Sequence, residues 1–146
     1  MSSGFVRESV DIDASRGRVW DHVVDWPGQS EWIPATRVRG VTGSTGIGTQ
    51  IEAFTGVGPF GLVDTMTVTA WDPPHRCEVL HTGRVLRGEA GFVVTPRGDD
   101  GARLEWWERF DLPAGPVGRL AWPAARPVVL LGLRRALQTL RRRVES

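Results

Sequence analysis

Residues 61–112 read GLVDTMTVTAWDPPHRCEVLHTGRVLRGEAGFVVTPRGDDGARLEWWERFDL. Apolar and polar side chains alternate there in four runs, at 61–71, 76–82, 85–95 and 102–112. A period of two marks a half-buried strand, because successive side chains point to opposite faces. Asp72-Pro73-Pro74, Gly83 and Gly98-Asp99-Asp100-Gly101 separate the runs, and all are turn formers. Connections this short join antiparallel neighbours, since a parallel crossover needs a dozen residues or more. The stretch predicts an antiparallel meander.

Working outward, runs at 36–41 and 48–57 add two strands, with turns at Gly43-Ser44 and Gly58-Pro59. A further strand at 5–12 sets Val6, Val10 and Ile12 against charged neighbours. After it, Asp13 or Ser15 can cap a helix whose apolar face is Val19, Trp20, Val23 and Val24. Pro27 ends that helix, and a second short one fits 28–33 before Pro34. Downstream, Pro113 and Pro116 close the sheet. Pro127 suits a first helical turn, and Leu130, Leu133, Leu137, Leu140 and Val144 then recur at helical spacing. Arg134, Arg135, Arg141, Arg142 and Arg143 mostly take the opposite, solvated face. The expected fold is α+β, a single domain over 1–146. Its seven-stranded curved antiparallel sheet wraps around a long C-terminal helix, with two short helices after the first strand. That helix is the only element large enough to cover the apolar face of the sheet. A twisted sheet gripping one helix leaves space between them, which is the physical basis for expecting a ligand cavity.

Composition narrows the function. The chain has 146 residues, of which 40% are hydrophobic, enough for one packed core. A formal net charge of +1 supplies no broad field for nucleic acid or acidic membranes. All 18 basic residues are Arg, and Tyr is absent too, so neither a Lys Schiff base nor a Tyr general acid is possible. Cys77 stands alone, which excludes an internal disulfide and a cysteine metal cluster. His22, His75 and His81 lack metal-ligand spacing, and 43–48 is Gly-rich without the Lys-Ser/Thr of a phosphate loop. No Gly-x-Ser-x-Gly elbow occurs. No metal and no cofactor is expected. The N-terminus has no signal-peptide core, and the apolar stretch 120–133 is short and interrupted by Pro123, Arg126 and Pro127. A cytoplasmic monomer or weak homodimer, without nucleic acid or stable membrane insertion, is the expectation.

Alternation also assigns faces. Leu62, Asp64, Met66, Val68 and Ala70 form the more apolar face of their strand, so it points inward. Cys77, Val79 and His81 share a face in the next strand, and Leu86, Gly88, Ala90, Phe92 and Val94 in the one after. Leu104, Trp106, Glu108 and Phe110 point in from the last strand, while Trp107 and, earlier, Trp71 point out. Three titratable residues thus face inward: Asp64, His81 and Glu108. A hairpin centred near Pro73-Pro74 pairs Met66 with His81 and brings Asp64 within reach of His81. A hairpin centred on Asp99 pairs Glu108 with Ala90. That puts Glu108 several rows from His81, so a cluster of three needs curvature or a bulge to close. Each of the three also has an ordinary structural explanation, as a hydrogen-bonded or ion-paired group. Cys77 reads as a small core residue.

Several local signatures carry a family resemblance: Val19-Trp20-Asp21, Trp32-Ile33-Pro34, Gly46-Ile47-Gly48-Thr49 and Trp71-Asp72-Pro73-Pro74, then Thr82-Gly83-Arg84 and Trp106-Trp107-Glu108 before Leu112-Pro113. In that order, over almost the whole chain, they resemble the START-like helix-grip superfamily, and within it the polyketide cyclase/dehydrase and lipid-transport (SRPBCC) group. The resemblance implies a hydrophobic cavity and no particular reaction. Three functions follow as expectations. The first is binding or carriage of a small hydrophobic molecule such as a lipid, polyketide or isoprenoid. The second is a polyketide cyclase/aromatase or dehydratase, in which His81 shuttles a proton, Asp64 orients it and Glu108 holds a substrate oxygen. The third is a protein-interaction module built on the outer Trp residues. The ligand-contacting set is Trp32, Phe60, Asp64, Met66, His81, Phe92, Trp106, Glu108, Trp122 and Leu133. A gate is expected from the 56–61 loop and the 114–125 segment, with Phe60 and Trp122 as apolar tips.

Overall fold

A computed structural model describes residues 2–43, 45–113 and 115–146. Met1, Ser44 of the Gly43-Ser44 turn and Ala114 of the 114–125 segment lie outside the described residues. Strand β1 (Ser2–Ile12) is followed by helix α1 (Arg16–Val23) and a 3-10 helix (Pro27–Glu31). Then come β2 (Thr36–Thr42), β3 (Gln50–Val57), β4 (Phe60–Asp72), β5 (Arg76–Thr82), β6 (Arg87–Arg97), β7 (Gly101–Leu112) and helix α2 (Pro116–Glu145). The strands form one antiparallel sheet in the order β1-β7-β6-β5-β4-β3-β2. The meander thus runs from β2 to β7, and β1 closes the far edge along the whole of β7, from Ser2 opposite Leu112 to Ile12 opposite Ala102.

Ser15 caps α1, its hydroxyl accepting the Arg18 amide at 3.2 Å, and Val19, Trp20 and Val23 turn inward. The second short helix is a single 3-10 stretch that starts on Pro27, a residue already pre-set for a helix N-terminus.

Helix α2 starts at Pro116, not at Pro127. Pro123 and Pro127 lie inside it. Each removes an N–H, which leaves the carbonyls of Arg119 and Pro123 without helical partners. Those residues and Pro127 are four apart on one exposed face, so the freed carbonyls lie on the solvent side of the helix, where bending is tolerated. The 116–125 part of the expected gate is therefore helix.

At its C-terminal end α2 packs tightly. Leu137, Leu140 and Val144 are almost fully buried, in one cluster with Ile12 of β1, Val19 and Val23 of α1, and Val94 and Leu104 of the sheet. Arg134 pairs with Glu8 of β1 at 2.7 Å, and Arg143 with Glu31 of the 3-10 helix. Being exposed, such pairs each contribute about 1 kcal/mol at most. The arginine face is solvated, as expected, and also ties the helix to its neighbours.

One face assignment is corrected. The ladder between β4 and β5 shifts register between Val68 and Ala70. A bulge of one residue reverses the alternation beyond it. Trp71 then lies opposite Cys77 and packs edge-on against Trp20 at 5.2 Å, and Ala70 turns away. Trp107 does face outward, but Phe5 and the Arg109 guanidinium lie against it, and its ring covers Gly91. No paired Trp71–Trp107 surface exists to support an interaction module.

Candidate functional site

Above the solid end of the core the sheet and α2 separate. Small residues mark the gap: Ala53 on β3, Ala90 on β6 and Gly132 on α2. They line a cavity of about 260 Å³ with Trp26, Gln29, Met66, Phe92, Trp106, Phe110 and Leu133 among the other walls. Gly132 is informative because a Cβ built on it would meet no atom within 4 Å. Glycine in a helix interior costs about 1 kcal/mol against alanine. Here it keeps the space beneath the helix open.

The charged residues lining the cavity are Asp64, His81 and Glu108. His81 Nδ1 lies 2.8 Å from Asp64 Oδ1, and Nε2 lies 2.9 Å from Glu108 Oε2. Glu108 Oε1 accepts the Trp106 indole N–H at 3.2 Å. Their side chains are 3%, 14% and 10% exposed, respectively for His81, Asp64 and Glu108. The registers Met66 opposite His81 and Ala90 opposite Glu108 are as the hairpins predict.

The expected separation of Glu108 from His81 does not hold. The connection between β5 and β6 pairs Thr82 with Arg87 and His81 with Gly88. Gly88 in turn faces Phe110, so Glu108 sits one inner row from His81 and two strands away. Two strand spacings are about 9.5 Å. The long Glu108 side chain and the imidazole can meet over β6 because β6 carries only Gly88 and Ala90 there. Gly88 itself has φ +132°, and a Cβ on it would lie 1.9 Å from the Arg109 carbonyl oxygen. Only glycine fits that position.

Electrostatics follow from this enclosure. Burial alone pushes the His81 pKa down, but the hydrogen bonds and charges of Asp64 and Glu108 outweigh it and raise it from 6.5 to about 10. Burial raises the Glu108 pKa, against the hydrogen bond and charge of His81. Near neutral pH the cluster is an imidazolium donating both N–H groups to carboxylates. Both ring nitrogens are thus engaged within the protein.

A raised folded-state pKa stabilises fully below the unfolded value and loses that contribution as pH rises through the folded one. Thermal unfolding should therefore show stability falling between pH 6.5 and about 10. The slope is at most about 1.4 kcal/mol per pH unit per proton. The cleanest range lies below pH 9, where the thiol of Cys77, pushed up by burial to about 12, is silent. A flat profile between pH 6.5 and 9 would contradict the imidazolium.

Of the residues expected to touch a ligand, Asp64, Met66, His81, Phe92, Trp106, Glu108 and Leu133 line the cavity. Trp32 stands behind it, edge-on to Phe92 at 6.3 Å and to Trp106 at 5.9 Å. Phe60 is 81% exposed at the tip of the β3–β4 hairpin, away from the cavity lining. Trp122 lies over Gly4 and touches Phe110 at 5.6 Å between ring centroids, so it reaches the cavity through Phe110. Sequence reasoning missed Trp26, Gln29, Thr55 and Gly132. Phe110 had a usable signal, since it shares the inner face of β7 with Trp106 and Glu108.

The family model for polyketide cyclase / dehydrase and lipid transport matches residues 5–145. No curated protein sequence matches this chain. Among solved structures, the Zhui aromatase/cyclase from Streptomyces sp. R1128 superposes with a TM-score of 0.82 at 16% identity, over 99% of this chain and 94% of that one. TTHA0849 from Thermus thermophilus gives 0.80 at 20% identity, covering 97% of each chain. A Thalictrum norcoclaurine synthase point mutant, in complex with a transition state analogue, gives 0.71 at 16%, over 98% and 94%. At these identities the likeness is one of fold, the helix-grip arrangement. Among the described residues no helix is long and apolar enough to cross a membrane.

Proposed function

We propose that this chain, which belongs to the polyketide cyclase / dehydrase and lipid transport family, binds and carries one small, mostly apolar molecule between its sheet and α2. The observation that carries the reading is the cavity itself: about 260 Å³ of apolar wall with one charged cluster, Asp64–His81–Glu108, at its side. Small-molecule sites have this make-up, a hydrophobic lining with a few placed polar groups, and span roughly 300–1,000 Å³. This one lies just below that range and suits a compact ligand of a few fused rings. Trp106 in the wall supplies a reporter. N-phenyl-1-naphthylamine, a neutral apolar fluorophore, should bind with a stoichiometry of one and quench tryptophan emission. No saturable binding of this probe, nor of neutral sterols and aromatic polyketides, would sink the reading.

A second reading, cyclisation or dehydration of the bound molecule, is favoured by the proton-bearing chain from Glu108 through His81 to Asp64. In it the group that meets substrate is Asp64, with His81 behind it holding a proton, and the apolar wall orders a folded chain. One of the similar structures is named an aromatase/cyclase. Product formation from a bound polyketide separates this reading from carriage.

A further inference from the structure

Granting that the cavity binds a ligand, we infer that it selects uncharged molecules bearing a hydroxyl or N–H donor and rejects carboxylates and phosphates. The inference rests on which groups remain free to meet a ligand. None of the 18 arginines lines the cavity. The single cation there, His81, directs both nitrogens at Asp64 and Glu108. An anionic headgroup would thus be buried beside two carboxylates without a free counter-charge, which is strongly unfavourable in an apolar wall.

The free polar capacity has the opposite character. Both oxygens of Glu108 are taken, by His81 and by Trp106. Asp64 has one oxygen bonded to His81, and the other has no hydrogen bond among the described residues. Asp64 is also the most exposed member of the cluster. The hydroxyl of Thr36 donates to the Pro34 carbonyl, so the Thr55 hydroxyl donates to Thr36, and both protons are spent. Gln29 gives one amide N–H to the Val23 carbonyl, which leaves its oxygen and a single N–H. What a ligand meets is chiefly acceptor, and the strongest acceptor is a carboxylate oxygen. A phenol, enol, alcohol or amide N–H placed near Asp64 completes it.

Three naphthalenes of one shape test this: 2-naphthol, 2-methoxynaphthalene and 2-naphthoate, each measured by displacement of N-phenyl-1-naphthylamine at neutral pH. The expected order is 2-naphthol tightest, by roughly ten- to a hundredfold over 2-methoxynaphthalene, the scale of a hydrogen bond to a charged acceptor. 2-Naphthoate should bind more weakly than either. In Asp64→Asn the advantage of 2-naphthol should shrink about tenfold and 2-naphthoate should gain. Equal affinity of 2-naphthol and 2-methoxynaphthalene in the unaltered protein, or 2-naphthoate as tight as 2-naphthol, would overturn the selectivity while leaving ligand binding standing. Failure of all three and of the fluorophore would remove the binding reading, and this inference with it.

Discussion

Replacing His81 by leucine should lower the stability of the fold by about 3–5 kcal/mol near neutral pH. The side chain removed is close in size, so packing changes little. What changes is charge. Asp64 and Glu108 lose the imidazolium that accounts for both of their short contacts, 2.8 and 2.9 Å. Two carboxylates then remain together in an apolar wall, and each must be desolvated without a counterion or take up a proton. For a chain of this length the loss corresponds to a fall in Tm of roughly 10 °C or more. It should shrink at acid pH, where Glu108, whose pKa burial raises, takes up a proton more readily. A triple variant, Asp64→Asn, His81→Leu and Glu108→Gln, should recover most of the stability, because neutral groups of similar shape replace the whole cluster. Thermal melts of the three proteins at two pH values provide the check. An unchanged Tm for His81→Leu at neutral pH would mean that the cluster is not an ion-paired network.

The strands are legible because their signals are local. Alternation and turn residues lie within a dozen positions of one another, and the hairpins at Pro73-Pro74 and Asp99 set registers that the ladders reproduce. Where a local signal has two meanings the reading fails. Pro123 and Pro127 look like a boundary, yet their spacing keeps the freed carbonyls on the solvent side, and the helix continues. Strict alternation turns Trp71 outward, and one extra residue in β4 reverses it. Asp64, His81 and Glu108 are all visible as inward titratable groups. Their closure into one cluster is not, because it depends on the emptiness of a third strand. Gly88 and Ala90 are legible as inward residues, but the register across the 83–86 connection, which sets Gly88 opposite His81 and so Glu108 one row away, is not. The cavity is legible only in the same way, as the coincidence of Ala53, Ala90 and Gly132 from three distant elements.

That coincidence also locates the second large effect. Gly132 faces the cavity from the middle of α2, and a Cβ there meets open space. Leucine is a strong helix former, about 0.8 kcal/mol better than glycine, and its side chain would project into the void and bury apolar area. Gly132→Leu should thus keep or raise Tm. It should at the same time exclude a ligand, since insertion of several methylenes into an occupied space costs about 1–3 kcal/mol or more, equivalent to roughly two orders of magnitude in affinity. Stability and binding move in opposite directions only if the space is built for an occupant and not left over from packing. The direct test is a titration of Gly132→Leu and the unaltered protein with N-phenyl-1-naphthylamine, following tryptophan quenching, alongside a thermal melt of each. One saturable site is expected in the unaltered protein, and in Gly132→Leu an equal or higher Tm with that site lost. Undiminished binding by a folded Gly132→Leu would show that the probe sits elsewhere, and that the cavity under α2 is not the ligand site.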